Sequence, residues 1–127
     1  MKQSSKEIEL NHKAKDLYEI VLDIEKYPNF IPWCSKIKIL KSNKNKIHAD
    51  MLVNYKFFPE QKFGSSVIFD NKNMIISTCY IDGPLKDLNT IWKFIKIKEN
   101  QTKIIFTIDF EFKNFFHQKI AEVFYPL

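Results

Sequence analysis

Apolar residues recur along this chain at two periods, and the change of period divides it. From Ala14 onward, Leu17, Tyr18, Val21 and Ile24 keep helical spacing, which predicts one amphipathic helix to about Glu25, with Asn11 placed to cap it. Ahead of it, Lys6 to Leu10 alternates with Ile8 and Leu10 on one side and predicts a short strand. Beyond residue 35 the period is two. Ile37 and Ile39 alternate with Lys36 and Lys38. In the clearest run, Ile47, Ala49, Met51, Val53, Tyr55 and Phe57 alternate with His48, Asp50, Leu52, Asn54 and Lys56. Further strands are predicted over Phe63 to Phe69, Met74 to Ile81, Leu88 to Ile97 and Ile104 to Phe112. Turn-forming residues separate them at Ser42 to Lys46, Asp70 to Asn73 and Glu99 to Thr102.

Connections this short join antiparallel neighbours, because a parallel pair needs a long crossover. The pattern therefore predicts an α+β architecture, a curved antiparallel sheet of six or seven strands with one wet face and one covered face. The first helix alone is too small to cover it. A second helix is predicted from near Asn114, with Phe116, Ile120 and Phe124 on one side. A sheet gripping a helix leaves an enclosed space, the natural place for an apolar ligand. Between the first helix and the sheet lies Tyr27 to Cys34, where Pro28 and Pro32 forbid a long regular helix and set a stiff turn carrying large apolar side chains.

Composition sharpens this picture. A chain of 127 residues fits a single domain, and 12 Phe, 5 Tyr and 2 Trp supply more aromatic surface than an ordinary core of that size needs. Aromatic cavity walls would use the excess, and so would a Phe-rich core. The net charge is +5, yet all 20 basic residues are Lys. Without Arg, base-edge reading and forked phosphate binding are poorly served, which disfavours sequence-specific nucleic-acid recognition. Lys36, Lys38, Lys41, Lys44 and Lys46, with Lys93, Lys96 and Lys98, could still meet anionic lipid head groups or ribosomal RNA, or form a solvated face. Asp109 and Glu111 belong to the polar side of the last strand.

Cys34 and Cys79 have neither a CxxC spacing nor a His cluster, which fits a reducing compartment. His12, His48 and His117 are far apart and lack any ligand spacing, so no metal is expected. No GxSxG, no phosphate-cradling glycine loop and no paired acidic motif is present, so no catalytic residue is assigned and the chain is read as a non-enzyme. The polar N-terminus predicts no secretory signal, and no apolar stretch approaches the roughly 20 residues that span a bilayer. A cytoplasmic protein with peripheral contact to the inner membrane is expected.

Four segments then carry a resemblance. Asp23 to Cys34 reads DIEKYPNFIPWC, Ile81 to Leu88 reads IDGPLKDL, Trp92 to Phe94 reads WKF, and Phe106 to Phe112 reads FTIDFEF. In order and spacing these resemble the coenzyme Q-binding proteins of the START-like, polyketide cyclase-like superfamily, a family that also includes bacterial ribosome-association toxins. The resemblance covers essentially the whole chain, with Leu85 standing where the family has Phe. It implies a helix-grip (START-like) fold enclosing a hydrophobic cavity. It also implies a longer last helix than the two turns available before Pro126, so the C-terminal helix of this 1–127 domain is expected to be shortened.

With the alternation, the resemblance nominates ligand-binding residues. Phe30, Pro32 and Trp33 would form the lip of the cavity, and Val53, Tyr55, Phe63, Val67, Tyr80, Trp92, Phe94, Phe106 and Phe110 its wall. Each wall residue could equally be ordinary core. The Asp82-Gly83-Pro84 segment reads as a tight turn. The implied ligand is ubiquinone or a similar polyprenyl lipid, held without any required cofactor, and the implied role is a lipid chaperone supporting respiratory electron transport. A ribosome-binding regulator that hinders subunit association is the alternative, and a vestigial truncated product a third. An uncovered sheet face would favour a homodimer.

Overall fold

Seven strands pair in the order β1-β7-β6-β5-β4-β3-β2 to form one curved antiparallel sheet. The computed structural model describes residues 2–54 and 59–112. In chain order the strands are β1 (Lys2–Leu10), β2 (Cys34–Ser42), β3 (Lys46–Val53), β4 (Gln61–Asp70), β5 (Ile75–Asp82), β6 (Leu85–Lys98) and β7 (Gln101–Phe112). From β2 to β7 each strand pairs with the next, and the first strand closes against the last. Helix α1 (Ala14–Leu22) and a 3-10 segment (Ile24–Asn29) fill the connection between β1 and β2.

Local chemistry sets the turns. At the β4–β5 turn the Asp70 carboxylate accepts hydrogen bonds from the backbone N–H groups of Lys72 (3.0 Å) and Asn73 (3.1 Å) and from the Asn73 amide (2.8 Å). Those bonds hold the Asp70 carboxyl below its ordinary range, the Asn73 side chain contributing most. The β5–β6 turn rests on Gly83, whose φ of +145° lies where side chains are strained. Register shifts at Gly64/Ser65, Leu85/Asp87 and Lys96/Lys98 mark bulges, which bend strands and add to the curvature.

One face of the sheet carries the core, in two clusters. One gathers Val53, Phe63, Leu85, Leu88, Ile108 and Phe110; the other joins Ile47, Ala49, Val67, Ile76, Phe94 and Ile104 to Tyr18 and Ile24. The Tyr18 and Phe94 rings meet T-shaped at 5.7 Å between centroids, and the Tyr18 hydroxyl donates to Asn71 Oδ1 at 2.7 Å. That pair fixes α1 to the sheet.

Four expectations are corrected. Strand β1 begins at Lys2 rather than Lys6, because the polar residues Gln3, Ser4 and Ser5 are held by backbone pairing to β7, which leaves no hydrophobic signal. Helix α1 ends at Leu22 rather than near Glu25, and Pro28 sits inside the 3-10 segment that follows. Lys13, not Asn11, is the N-cap, and it makes no side-chain capping bond. Finally, the outer face of the sheet is not purely polar, since Ile68, Ile81, Ile91 and Ile95 are exposed. Tyr55 and Phe57, and the helix predicted from Asn114, lie outside the described residues.

Burial gives the fold an alkaline limit. The Tyr18 hydroxyl is pushed above its ordinary range by burial and then by the Asp70 charge. The Tyr80 hydroxyl is pushed up by burial, opposed by the hydrogen bond from the Leu85 N–H and helped by Asp82. A group whose folded value is raised contributes its full stability below its unfolded value and loses it as pH climbs through the folded one. Stability should therefore begin to fall above about pH 8.5, where an unfolded cysteine ionises and the buried Cys34 resists. It should fall further beyond about pH 10, that second fall being shallower in Tyr80→Phe. Urea midpoints measured from pH 8 to 11 would check this, and parallel curves for the two proteins would refute it.

Candidate binding cavity

Between the two clusters the inner face does not close. A cavity of about 230 Å³ remains. Its floor is the middle of the sheet: Ala49 and Met51 of β3, Phe63 and Val67 of β4, Ile76 of β5, Leu88 and Trp92 of β6, and Phe106 of β7. Its rim is Val21 of α1, Ile24 and Tyr27 of the 3-10 segment, and Ile31 and Trp33 beyond it. A larger hollow of about 830 Å³ lies beside α1, edged by Lys13, Lys15, Lys72 and Lys96.

The rim is shaped by backbone bonds through the proline-flanked segment. Ile31 N–H donates to the Tyr27 carbonyl (2.9 Å), Cys34 N–H to that of Ile31 (3.1 Å), and Asn54 N–H to that of Trp33 (2.9 Å). The last ties the segment to the end of β3. The Tyr27 hydroxyl donates to the Val21 carbonyl, joining the segment to α1. Side-chain contacts stiffen the floor. Trp92 lies 4.5 Å from Phe106 between centroids and stacks on Phe94 at 6.1 Å with an 8° interplanar angle. Rings held by neighbours offer a preformed apolar surface.

The nominated residues separate into three groups. Trp33, Phe63, Val67, Trp92 and Phe106 line the cavity. Val53, Phe94 and Phe110 are buried in the clusters on either side, and Tyr80 packs against the first cluster with its hydroxyl accepting from the Leu85 N–H at 2.9 Å. Phe30 and Pro32, expected at the lip, are not among the residues lining the cavity. Phe30 is 60% exposed beside α1, its ring edge on Tyr27 at 5.8 Å, and Pro32 is exposed. The 3-10 segment turns these two outward while bringing Tyr27, Ile31 and Trp33 inward. Tyr55 lies outside the described residues.

Sequence reasoning passed over Val21, Ile24, Tyr27, Ile31, Ile37, Ala49, Met51, Ile76 and Leu88 as wall residues, although several share the apolar phase of nominated neighbours. It also passed over three hydroxyls in the wall, Ser65, Thr78 and Thr90. Ser65 had a signal: it occupies the apolar phase between Phe63 and Val67. Cys34 is buried, its thiol pushed up chiefly by burial, and Cys79 is exposed; both are free. Among the described residues no group of three or more His, Cys, Asp or Glu side chains could hold a metal, and no helix is long and apolar enough to cross a membrane.

Comparison with known proteins places this geometry. The chain is 31% identical over 121 residues to the ribosome association toxin RatA of Rickettsia prowazekii, covering 93% of this chain and 82% of that protein. It is 29% identical over 120 residues to coenzyme Q-binding protein COQ10 homolog B, mitochondrial, of Xenopus laevis, covering 91% of this chain and 48% of that one. A START superfamily protein from Mycobacterium smegmatis superposes with a TM-score of 0.77 at 19% identity, over 96% of this chain and 88% of that chain, which establishes the helix-grip (START-like) fold. Residues 10–125 match the family described as polyketide cyclase / dehydrase and lipid transport, and the chain, with that fold and an apolar cavity in its grip, belongs to this family.

Proposed function

We propose that the chain binds ubiquinone or a similar polyprenyl lipid in this cavity and acts as a non-enzymatic carrier. The supporting observation is the partly open apolar cavity walled by Trp33, Phe63, Trp92 and Phe106. At about 230 Å³ it falls below the roughly 300–1,000 Å³ usual for drug-sized ligands. It suits a ring-sized head group better than a whole polyprenyl chain, so the tail would leave past the rim. Burial of the ring surface at roughly 25 cal/mol per Å² supplies the affinity. The exposed Phe30 ring, with Lys26 on the same segment, is suited to resting in a lipid surface while its ammonium meets anionic head groups. Peripheral contact with the inner membrane follows from that reading.

Ribosome association is a second reading, favoured by the name of the Rickettsia relative and by the exposed lysines of β2 and the turn after it, Lys36, Lys38, Lys41 and Lys44. One substitution separates the two. Ala49 is 5% exposed and faces the cavity, so Ala49→Phe fills it and leaves the lysines untouched. Organic extraction and mass spectrometry of the purified full chain should recover a quinone or related lipid, chemically unchanged, and Ala49→Phe should reduce the yield at least about tenfold. An empty unaltered protein, with no quinone quenching of Trp33 or Trp92 fluorescence, would refute the lipid reading. Salt-sensitive cosedimentation with the large ribosomal subunit, kept in Ala49→Phe and lost in Lys36→Glu/Lys38→Glu, would support the second.

A further inference from the structure

An otherwise apolar cavity is interrupted by one polar feature. Ser65 of β4, Thr78 of β5 and Thr90 of β6 all face into it, and none of the three hydroxyls has a hydrogen-bond partner among the described residues. Register makes them one band. Thr78 stands directly opposite Thr90, and Ser65 is two residues from Val67, the β4 partner of Thr78. Directly opposite side chains have Cβ atoms about 5 Å apart and diagonal ones about 7–8 Å, so the band runs directly from Thr90 to Thr78 and diagonally on to Ser65. It belongs to neither hydrophobic cluster and lies on the seam between them, with Phe63 and Leu88 on one side and Val67, Ile76 and Trp92 on the other.

Valine has the shape of threonine and packs as well in a strand. The three residues are half-buried, so their hydroxyls stay within reach of water in the open cavity, and a ligand filling it displaces that water. An oxygen-bearing ligand replaces the hydrogen bonds so lost. From this juxtaposition, and resting on the reading of the cavity as a lipid site, we infer that Ser65, Thr78 and Thr90 form a polar subsite that donates hydrogen bonds to the carbonyl or ether oxygens of a lipid's ring head group. The head group is thereby set at the centre of the sheet, with its hydrocarbon directed to the Trp33 rim. The preferred ligand class is an amphiphile whose polarity is concentrated in one neutral, oxygen-rich ring. A free fatty acid fits poorly, since no cation lines the cavity among the described residues to receive its carboxylate.

The test compares two probes of matched tail, decylubiquinone and decylbenzene, by equilibrium dialysis with mass-spectrometric quantification. The proteins are the full unaltered chain, Thr78→Val, Thr90→Val and the triple variant Ser65→Ala/Thr78→Val/Thr90→Val. The unaltered chain should bind decylubiquinone more tightly than decylbenzene. Each valine substitution should weaken decylubiquinone binding about fivefold to tenfold and the triple about a hundredfold, with decylbenzene binding unchanged. Unchanged decylbenzene binding also reports an intact cavity, so a misfolded variant is recognised. Equal decylubiquinone affinity in the unaltered and triple-variant proteins would overturn the subsite while leaving the cavity as a lipid site. If the unaltered chain binds neither probe, the lipid reading itself falls and the subsite with it.

Discussion

Gly83→Ala should destabilise the protein by about 3 kcal/mol, combining backbone strain with steric overlap. At φ +145° an L side chain is strained, and a Cβ built there would sit 2.7 Å from the Lys62 carbonyl oxygen and 2.7 Å from the Tyr80 hydroxyl. Neither neighbour can give way cheaply. The carbonyl is backbone, and the Tyr80 hydroxyl already accepts from the Leu85 N–H across the same turn. Moving it would loosen the start of β6, the strand that brings Leu88, Thr90 and Trp92 to the cavity. Gly64 provides the control. Its Cβ would meet Asp82 Oδ1 at 2.2 Å, closer still, but that atom ends a flexible, exposed side chain, and Gly64 has no positive φ. Gly64→Ala should therefore cost much less. Urea unfolding with an unchanged slope would measure both, and equal midpoints for the two variants would contradict this account.

Phe94→Ala should cost about 3–5 kcal/mol, the range for emptying a buried aromatic position. Phe94 is 2% exposed, meets Tyr18 T-shaped and stacks on Trp92. Its removal leaves a void under α1 and deprives Trp92 of a stacking neighbour, so one substitution acts on both the helix and the cavity wall. The expected sign is a large fall in the urea midpoint, with Trp92 fluorescence changing in the folded state. Tyr18→Phe alone keeps the ring contact and removes the Asn71 hydrogen bond, so its loss measures that bond, while a double-mutant cycle of Phe94→Ala with Tyr18→Ala measures the ring contact. A loss below about 1 kcal/mol for Phe94→Ala would mean that α1 is held elsewhere.

Much of this fold is legible in the residue pattern because its strands are half-buried, and half-burial writes itself as alternation. Ile47 to Val53 displays it well, and β3 is where the pattern puts it. The pattern fails where a strand is not selected by burial. Gln3 to Ser5 extend β1 through backbone pairing alone. It is ambiguous where both faces carry isoleucine: Ile75 and Ile76, or Ile91 beside Trp92, leave the inward phase of β5 and β6 undecided until pairing settles it.

The site is less legible for a different reason. Phe94 and Trp92 share a strand, a phase and an aromatic ring, yet one is filler and the other is wall. The difference is the position of α1, which covers Phe94 through Tyr18 and reaches the cavity only at its rim, through Val21. Likewise Phe30 and Trp33 look interchangeable on a proline-flanked turn. Only the 3-10 geometry of Ile24–Asn29 sends one outward and the other in. Sidedness of that kind is a tertiary property. The hydroxyls at Ser65, Thr78 and Thr90 are the reverse case, polar letters in apolar positions, and such exceptions to a pattern are often where a ligand is accommodated.

The pairing of the first strand with the last has a consequence for how the protein is made. Ser5 and Thr107 face each other across 102 residues of chain. At synthesis rates of roughly 5–20 residues per second, β1 leaves the ribosome some 5–20 seconds before its strand partner β7 exists. During that interval β2 through β6 can zip hairpin by hairpin, each closing a short loop, while β1 and the α1 that follows it remain undocked. The Tyr18–Phe94 contact is delayed in the same way, because Phe94 is itself made late. The α1 side of the cavity is thus completed late, and a nascent chain passes through a stage in which that part of the sheet's apolar face lies open to whatever hydrophobic molecule is nearest.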